Sequence, residues 1–436
     1  MSQRASPIRV CARKKPTDGV KTMKSVDEHL ADVLERIHPL PEFAQHLLDA
    51  HGHHLAEDVL SPRDVPLFDN SAMDGYAVRL DDVLTATVER PAVLPIVQEL
   101  PAGAAETAEL LPGTCARIMT GAPVPPGAEA VVPVEWTDGA AEGEVRITRS
   151  PEPGQHVRRQ GDDIRAGQVL LTAGTLLGPR QIGLLAGAGI ELAVVHPRPR
   201  VVVISTGSEL VEPGTEPGPG RIPDANGFIL SSAARAAGAT VYRVGAVPDD
   251  GAALLEAIED QLIRADLVIT SGGVSVGAYD VVKEVLSGLG TIKFEEVAMQ
   301  PGKPQGFGVI GQDEIPIFTL PGNPVSAYVS FELFVRPVLR KLLGYQDLHR
   351  ETVELICTET FESPRGRAQF IRGKVDPQTG GRSYSVTPVG GHSSHLLGGL
   401  AEADCFICVP AEQTRVSAGE MVKVMLLEQP EGRVER

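Results

Sequence analysis

Positive charge is in short supply in this chain: basic residues are outnumbered 57 to 40, and the formal charge is −17. A surface of that sign repels polyanions, which excludes general nucleic-acid binding and adhesion to anionic membranes. An anionic small ligand remains compatible where positive potential is local. Thiols are scarce as well. The five cysteines, Cys11, Cys115, Cys357, Cys405 and Cys408, are an odd and scattered set, expected of reduced thiols in a cytosolic protein rather than of a disulfide framework. Cys405 and Cys408 stand at C-x-x-C spacing, but inside an apolar strand-like run, Asp404 to Pro410, with no second pair or histidine cluster nearby. Structural burial is the better reading than redox or zinc chemistry. Also missing are an apolar run near the ~20 residues of a membrane span and an N-terminal secretory segment, so a cytoplasmic protein without a membrane partner is expected.

What is present divides into segments. A length of 436 residues exceeds one ordinary core and suggests about three or four domains. Residues 1–25 are polar and basic and read as a disordered leader. From Val26 the spacing of Leu30, Val33, Leu34 and Ile37 is helical; Pro39 and Pro41 follow, then a second apolar-periodic segment, Phe43 to Leu48. The run His51 to His54 lacks a further ligand at metal-binding spacing and reads as a solvated turn. Next, Asp64 to Arg79 crowds Asp69, Asn70, Ser71 and Asp74 into six positions beside Gly75, more polar side chains than a pair of Asx-turns needs. Short β-like runs (Val93 to Val97, Cys115 to Met119, Ala130 to Val134, Val145 to Thr148) then suggest a small β-barrel or sandwich, with Thr120 and Gly121 at a loop edge. The charged stretch Arg158 to Asp163 sits in a strand–turn–strand pattern, and Pro179 to Leu192 reads as a helix.

From Arg200 strands and helices alternate as in a parallel α/β domain, ending in one long helix from Pro324 to about Leu343. In such sheets ligands bind beyond the carboxyl ends of the strands. Four polar loops fall there: Thr206 to Glu209, Pro248 to Asp250, SGGVSVGAYD (Ser271 to Asp280) and Leu320 to Pro324. SGGVSVGAYD has the strand, glycine-rich turn and helix-start order of an anion-binding loop. Gly272, Gly273 and Gly277 permit close backbone approach, Ser271 and Ser275 form a polar lip, and Asp280 serves either as a helix cap or as a metal ligand. Glu209, Asp249 and Asp280 would share the sheet edge, and carboxylates beside phosphate-binding backbone suit Mg²⁺. Lys303 in a Pro-Gly-Lys-Pro turn adds one point charge for an oxyanion. These features amount to Mg²⁺-assisted chemistry on a phosphorylated, nucleotide-like ligand. After Leu343 short β-like runs return as a separate domain, whose Arg365, Arg367, His392 and His395 read as a rim.

Six motifs in order carry a family resemblance: FDNSAMDGYAVR (Phe68 to Arg79), RIMTGAPVP (Arg117 to Pro125), STGSEL (Ser205 to Leu210), SGGVSVG (Ser271 to Gly277), PGKP (Pro301 to Pro304) and LPGNPVS (Leu320 to Ser326). Together they resemble the molybdopterin molybdenumtransferases, the MoeA family. The resemblance implies a multidomain α/β plus β fold: a central MogA-like parallel α/β molybdopterin-binding domain (195–345), an inserted β-domain (64–152), an extended helical linker domain in two segments (26–63 and 153–194) and a C-terminal β-barrel (346–436). It implies Mg²⁺-dependent insertion of molybdate into adenylylated molybdopterin with release of AMP. A homodimer with a composite intersubunit site is implied too, with transient contact to the adenylyltransferase and to molybdoenzyme apoproteins. Carried over by position, the catalytic residues are Asp74, Thr120, Glu209, Asp249, Asp280 and Lys303. The metal ligands are Glu209, Asp249 and Asp280, and the cofactor-binding residues are Ser271, Gly272, Gly273, Ser275, Gly277, Pro321, Gly322 and Asn323.

Departures from the family pattern matter. Glu296 and Gln300 stand where some members have lysines, and Ser208 replaces a common acidic residue. Molybdate capture then rests on Mg²⁺, Lys303, backbone N–H groups or Arg158 and Arg159. Two rivals share parts of the pattern. A molybdopterin adenylyltransferase is typically a lone α/β domain with a GGTG-type loop, and a non-catalytic gephyrin-like scaffold has no need of Asp74, Asp249 and Asp280 together.

Overall fold

The computed structural model describes residues 23–272, 285–288, 290–377, 384–391 and 393–427. Gly273, Ser275, Gly277, Asp280 and His392 lie outside them. Chain contacts define two compact units, one of residues 40–197 with Leu343–Tyr345, the other of the remainder. Among the described residues no helix is long and apolar enough to cross a membrane.

In the larger unit the first helix, α1 (Val26–Glu35), starts where the sequence supplies a capping box. Ser25 Oγ accepts from Glu28 N at 3.1 Å and Glu28 Oε2 accepts from Ser25 N at 2.8 Å, an arrangement that stabilises a helix by about 1 kcal/mol. Its buried His29 ring meets Phe334 edge-on at 4.8 Å. Lys24, just before the cap, bonds both Asp32 (2.6 Å) and Glu295 (2.8 Å).

Regular structure in the smaller unit is mostly strand. Phe43–His46 pairs antiparallel with Leu192–Val195, where the apolar periodicity had suggested more helix. Three of its four residues are exposed, so a helix there would have no buried face to hold it, and strand pairing satisfies the backbone instead. The expected helix is shorter than the pattern suggested, α2 (Pro179–Gly187). His54 is not in a solvated turn. It is 3% exposed, with Nδ1 2.9 Å from Gly174 O and its ring 3.7 Å from that of Tyr345. No metal-holding cluster occurs among the described residues.

A six-stranded sheet follows in the same unit: β1 (Gly75–Val78), β2 (Ala92–Leu100), β3 (Cys115–Ile118), β4 (Ala130–Pro133), β5 (Thr137–Ala141) and β6 (Glu144–Ile147), in the order β4-β1-β3-β2-β6-β5. Strand β2 joins its two ends. It pairs antiparallel with β6 through Ala92–Pro95 and parallel with β3 from Ile96 on, with a register shift between Ile96 and Gln98. Such an irregularity bends and twists a strand, which lets one strand serve two apolar clusters, around Val132 and around Ile118.

The α/β sheet in the larger unit comprises β7 (Arg200–Thr206), β8 (Thr240–Val247), β9 (Leu267–Ser271), β10 (Lys293–Glu296), β11 (Pro304–Ile310) and β12 (Ile315–Leu320), ordered β8-β7-β9-β12-β11-β10. The first four in that order run parallel, and β11 and β10 are antiparallel additions. Helices α3 (Asn226–Ala236) and α4 (Gly251–Leu262) connect the strands. Val202, Ile204, Leu254, Ile258, Val268 and Ile317 are buried together, each worth at most about 1.5–3 kcal/mol of apolar burial. The expected long helix is interrupted: α5 (Pro324–Ser330), a π-helical turn (Phe331–Val335), then α6 (Arg336–Leu342). Pro337 has no N–H for the carbonyl four residues earlier, and a π-turn accommodates the break. Glu332, buried in that turn, accepts from Arg350 Nε at 2.8 Å and Nη2 at 3.0 Å.

Five further strands close a barrel: β13 (Thr352–Cys357), β14 (Ala368–Pro377), β15 (Tyr384–Pro388), β16 (Cys405–Val409) and β17 (Met421–Leu426). The order β14-β15-β13-β17-β16 is completed by pairing of β14 with β16. Cys405 is buried on β16, and burial pushes the Cys408 thiol up to about 12. Thiols so placed are inert rather than reactive.

Candidate functional site

Ends of the parallel strands gather the loops that periodicity placed there. Thr206 ending β7 with Gly207 and Glu209 beyond it, Asp249 beyond β8, Ser271 ending β9 with Gly272 beyond it, and Pro321, Gly322 and Asn323 beyond β12 all line one cavity of about 860 Å³. Hydrogen bonds stitch the loops together. Thr206 Oγ1 donates to Ser271 O at 3.1 Å, and Gly272 N donates to Leu320 O at 3.1 Å. Gly272 has φ +100°, and a Cβ there would stand 2.5 Å from Thr206 O. Only glycine combines that conformation with that approach.

The cavity is acidic. Asp249 Oδ2 accepts from Ser208 N at 3.2 Å, and Ser208 Oγ accepts from Asp249 N at 3.1 Å. Ser208 therefore ties the β7 and β8 loops to each other. Glu209 folds its carboxylate back toward Gly207. Among the described residues these two carboxylates belong to no group of three metal-ligating side chains. A hard divalent cation that draws most of its shell from water and phosphate needs only one or two carboxylates, so the donor set fits Mg²⁺ of that kind. Lys303 does not line the cavity, although its neighbours Gly302 and Pro304 do. Its Nζ is 3.0 Å from Glu296 Oε2, so Glu296 neutralises it.

The smaller unit holds the other two residues singled out by motif. Asp74 precedes β1 and Thr120 follows β3, and the antiparallel register places Gly75 opposite Ile118. Residues 46 positions apart thus meet: Asp74 Oδ1 accepts from Thr120 N at 2.7 Å and from Thr120 Oγ1 at 2.8 Å. The backbone donor first, then the hydroxyl, holds the Asp74 carboxyl below its ordinary range. Gly75 is required beside it, because a Cβ would stand 2.0 Å from Val132 O. Arg159 is committed rather than free, with Nη1 2.6 Å from Asp69 Oδ2. Burial pushes Asp69 up, but the Gln160 N–H and the Arg159 guanidinium outweigh it and hold that carboxyl down.

Four residues escaped the sequence reading. Asp224 lines the cavity at 1% exposure, accepting from Gly227 N at 2.9 Å and Arg243 Nη1 at 3.2 Å. Its three-residue lead on Gly227 at a helix start was the available signal. Asn226 lines the same wall. His395, read as a rim residue, reaches the cavity from the loop after β15, with Leu397 at the helix start that follows. Arg372, 3% exposed, holds that loop: its guanidinium donates to Leu396 O (2.9 Å), Gly390 O (3.0 Å) and Gly391 O. No sequence pattern distinguishes a carbonyl clamp from a surface arginine.

Comparison with known proteins agrees with this arrangement. Three family models match in order: the MoeA N-terminal region (domain I and II) over residues 24–189, the probable molybdopterin binding domain over 202–341, and the MoeA C-terminal region (domain IV) over 354–427. Molybdopterin molybdenumtransferase 2 of Mycobacterium tuberculosis (strain CDC 1551 / Oshkosh) is 45% identical over 408 residues, covering 92% of this chain and 99% of its own. The Haemophilus influenzae molybdopterin molybdenumtransferase is 37% identical, covering 92% and 98%. A crystal structure of the molybdopterin biosynthesis MoeA protein from Pyrococcus horikosii superposes with a TM-score of 0.81 at 33% identity, covering 94% of this chain and 100% of that one. With three consecutive regions matched and relatives aligned over nearly their whole length, the chain belongs to the MoeA family.

Proposed function

We propose that the chain is a molybdopterin molybdenumtransferase of molybdenum cofactor biosynthesis, which inserts molybdate into adenylylated molybdopterin with release of AMP. The observation that carries this reading is the single cavity in which Glu209, Asp249, Ser271, Gly272 and Gly322 converge. Gly272 and Gly322 leave the wall there without side chains, so a phosphate can come close to the backbone, and Asp249 and Glu209 offer carboxylates on the same cavity. Mg²⁺ held there would offset the repulsion between carboxylates and phosphates and polarise the phosphoryl bond. Asp280 would complete that carboxylate set. Asp74, ionised and held by Thr120, is exposed, and we place the pair opposite the cavity of a second subunit in a homodimer. For the oxyanion, Arg372 lines a small pocket with Gln300 and has no carboxylate partner among the described residues. It supplies near Gln300 the charge that Gln300 lacks, with Lys303 in reserve. The work would take place in the cytoplasm, between the adenylyltransferase that makes the substrate and the apoproteins that receive the product.

Purified chain incubated with adenylylated molybdopterin, molybdate and Mg²⁺ should release AMP and reconstitute a molybdoenzyme apoprotein. AMP release indifferent to molybdate would overturn the reading. So would formation of adenylylated molybdopterin from ATP, which marks the adenylyltransferase.

A further inference from the structure

Asn226, in the first turn of α3, is 9% exposed and lines the cavity. Its Nδ2 donates to Gly322 O at 2.7 Å. A carbonyl oxygen can only accept, so this bond fixes which end of the amide is nitrogen. Oδ1 is thereby fixed too, as a buried acceptor with no partner among the described residues. Ser271, 1% exposed on the same cavity, has an Oγ in the same condition. Buried polar atoms are normally satisfied, and two left unsatisfied in one cavity are a standing cost that a ligand with matching groups removes.

We propose that Asn226 determines ligand specificity: Oδ1 accepts a hydrogen bond from the exocyclic amino group on the edge of a heterocycle, as the aminopyrimidinone edge of a pterin presents it. This inference rests on the pterin reading of the cavity given above. Ser271 adds polarity without sign, since a hydroxyl donates or accepts. Asn226 has a sign, because its donor is spent on Gly322 and only its acceptor remains. A ligand with a carbonyl at that edge would lose the bond and set two oxygen lone pairs against each other, which is the kind of mismatch a polar site rejects strongly. The same amide ties the loop after β12 to the start of α3, so the reading atom is positioned by a loop that itself lines the cavity.

The test is a fluorescence titration of the full chain with neopterin monophosphate and with its lumazine counterpart, in which an oxo group replaces the ring amino group. The wild-type chain should bind the pterin about tenfold more tightly or better, the range expected when a buried hydrogen bond is replaced by a mismatch. Asn226→Leu should bring the ratio near one by weakening the pterin far more than the lumazine, with a melting temperature lowered only modestly by loss of the bond to Gly322 O. If that variant does not fold, Asn226→Ser, too short to span from α3 to the ligand, should give the same loss of ratio. Equal binding of the two probes by wild type, no binding of either, or a preference that survives in a folded variant would each overturn the proposal. The readout needs no turnover. Molybdate-dependent AMP release with an unchanged ratio defeats this inference alone, whereas discrimination without AMP release defeats the reaction reading alone.

Discussion

Two sheets in this chain present polar chemistry in opposite ways. The β7–β12 sheet distributes it: Glu209, Asp249, Ser271 and Gly322 come from four loops, each an ordinary turn by itself, and the parallel strand ends gather them on one cavity. The β1–β6 sheet concentrates it: one turn bearing Asp74 meets Thr120 through a single antiparallel register, and the result is exposed. A distributed site depends on how closely its loops can approach one another. A concentrated one depends on a few hydrogen bonds around one carboxylate. Substitutions should therefore separate the two regions by kind as well as by size.

The largest effect is expected where loops touch. Gly272→Val puts a Cβ into the space 2.5 Å from Thr206 O at φ +100°. Overpacking of that sort costs about 1–3 kcal/mol, and the positive φ adds to it. Thermal unfolding should show a clear drop in Tm together with loss of pterin binding, and a variant with wild-type Tm and binding would show that the loops are not in contact. Next come the carboxylates. Asp249→Asn and Glu209→Gln should raise the Mg²⁺ concentration needed for half-maximal AMP release by about 10–100-fold, as loss of groups that organise a metal commonly does, at nearly unchanged Tm because both side chains are exposed. An unaltered Mg²⁺ requirement would remove them from the metal site.

How much of this was legible in the sequence follows the same division. Strands Thr240–Val247 and Ile315–Leu320 fall in the stretch read as alternating strands and helices, and once that alternation is recognised the loop convergence follows from topology. Asn226 and His395 reach the cavity through the path of the chain, which leaves no local signature, and Asp224 left only its spacing to Gly227 at a helix start. Phe43–His46 became a strand because a partner 150 residues away, Leu192–Val195, supplied its hydrogen bonds. The break at Phe331–Val335 was readable in principle from Pro337, since proline cannot donate in a helix interior. The Lys303–Glu296 pair arises from a hairpin register that sets Glu296 opposite Pro304, so a residue noted only for standing in place of a lysine turns out to bind the cation beside it.

On the concentrated side the expected change is smaller and visible as a titration. The Thr120 N–H and hydroxyl hold Asp74 below its ordinary 3.8. A lowered carboxyl makes its contribution fully above the unfolded value and loses it only as pH falls through the folded one, so the pair is intact throughout the neutral range and gives way below about pH 4. Thr120→Val removes the hydroxyl and leaves the backbone donor. A carbonyl-detected NMR titration should show Asp74 moving up toward 3.8, with turnover reduced by about tenfold for one lost hydrogen bond to a charged group. An unmoved titration would mean that the hydroxyl contributes nothing to the pair.

The smallest expected effect lies between the two regimes, at a single charge pair on the edge of the α/β sheet. Lys303 and Glu296 are 3.0 Å apart with side chains 35% and 53% exposed, and exposed pairs of this kind contribute only about 0–1 kcal/mol. Glu296→Gln should therefore leave Tm where it is. It removes the carboxylate that neutralises Lys303 and repels oxyanions, so the molybdate concentration for half-maximal AMP release should fall by about two- to fivefold at low ionic strength, with the gain shrinking as salt screens the freed ammonium. If the molybdate dependence does not move at any salt concentration, Lys303 takes no part in capture.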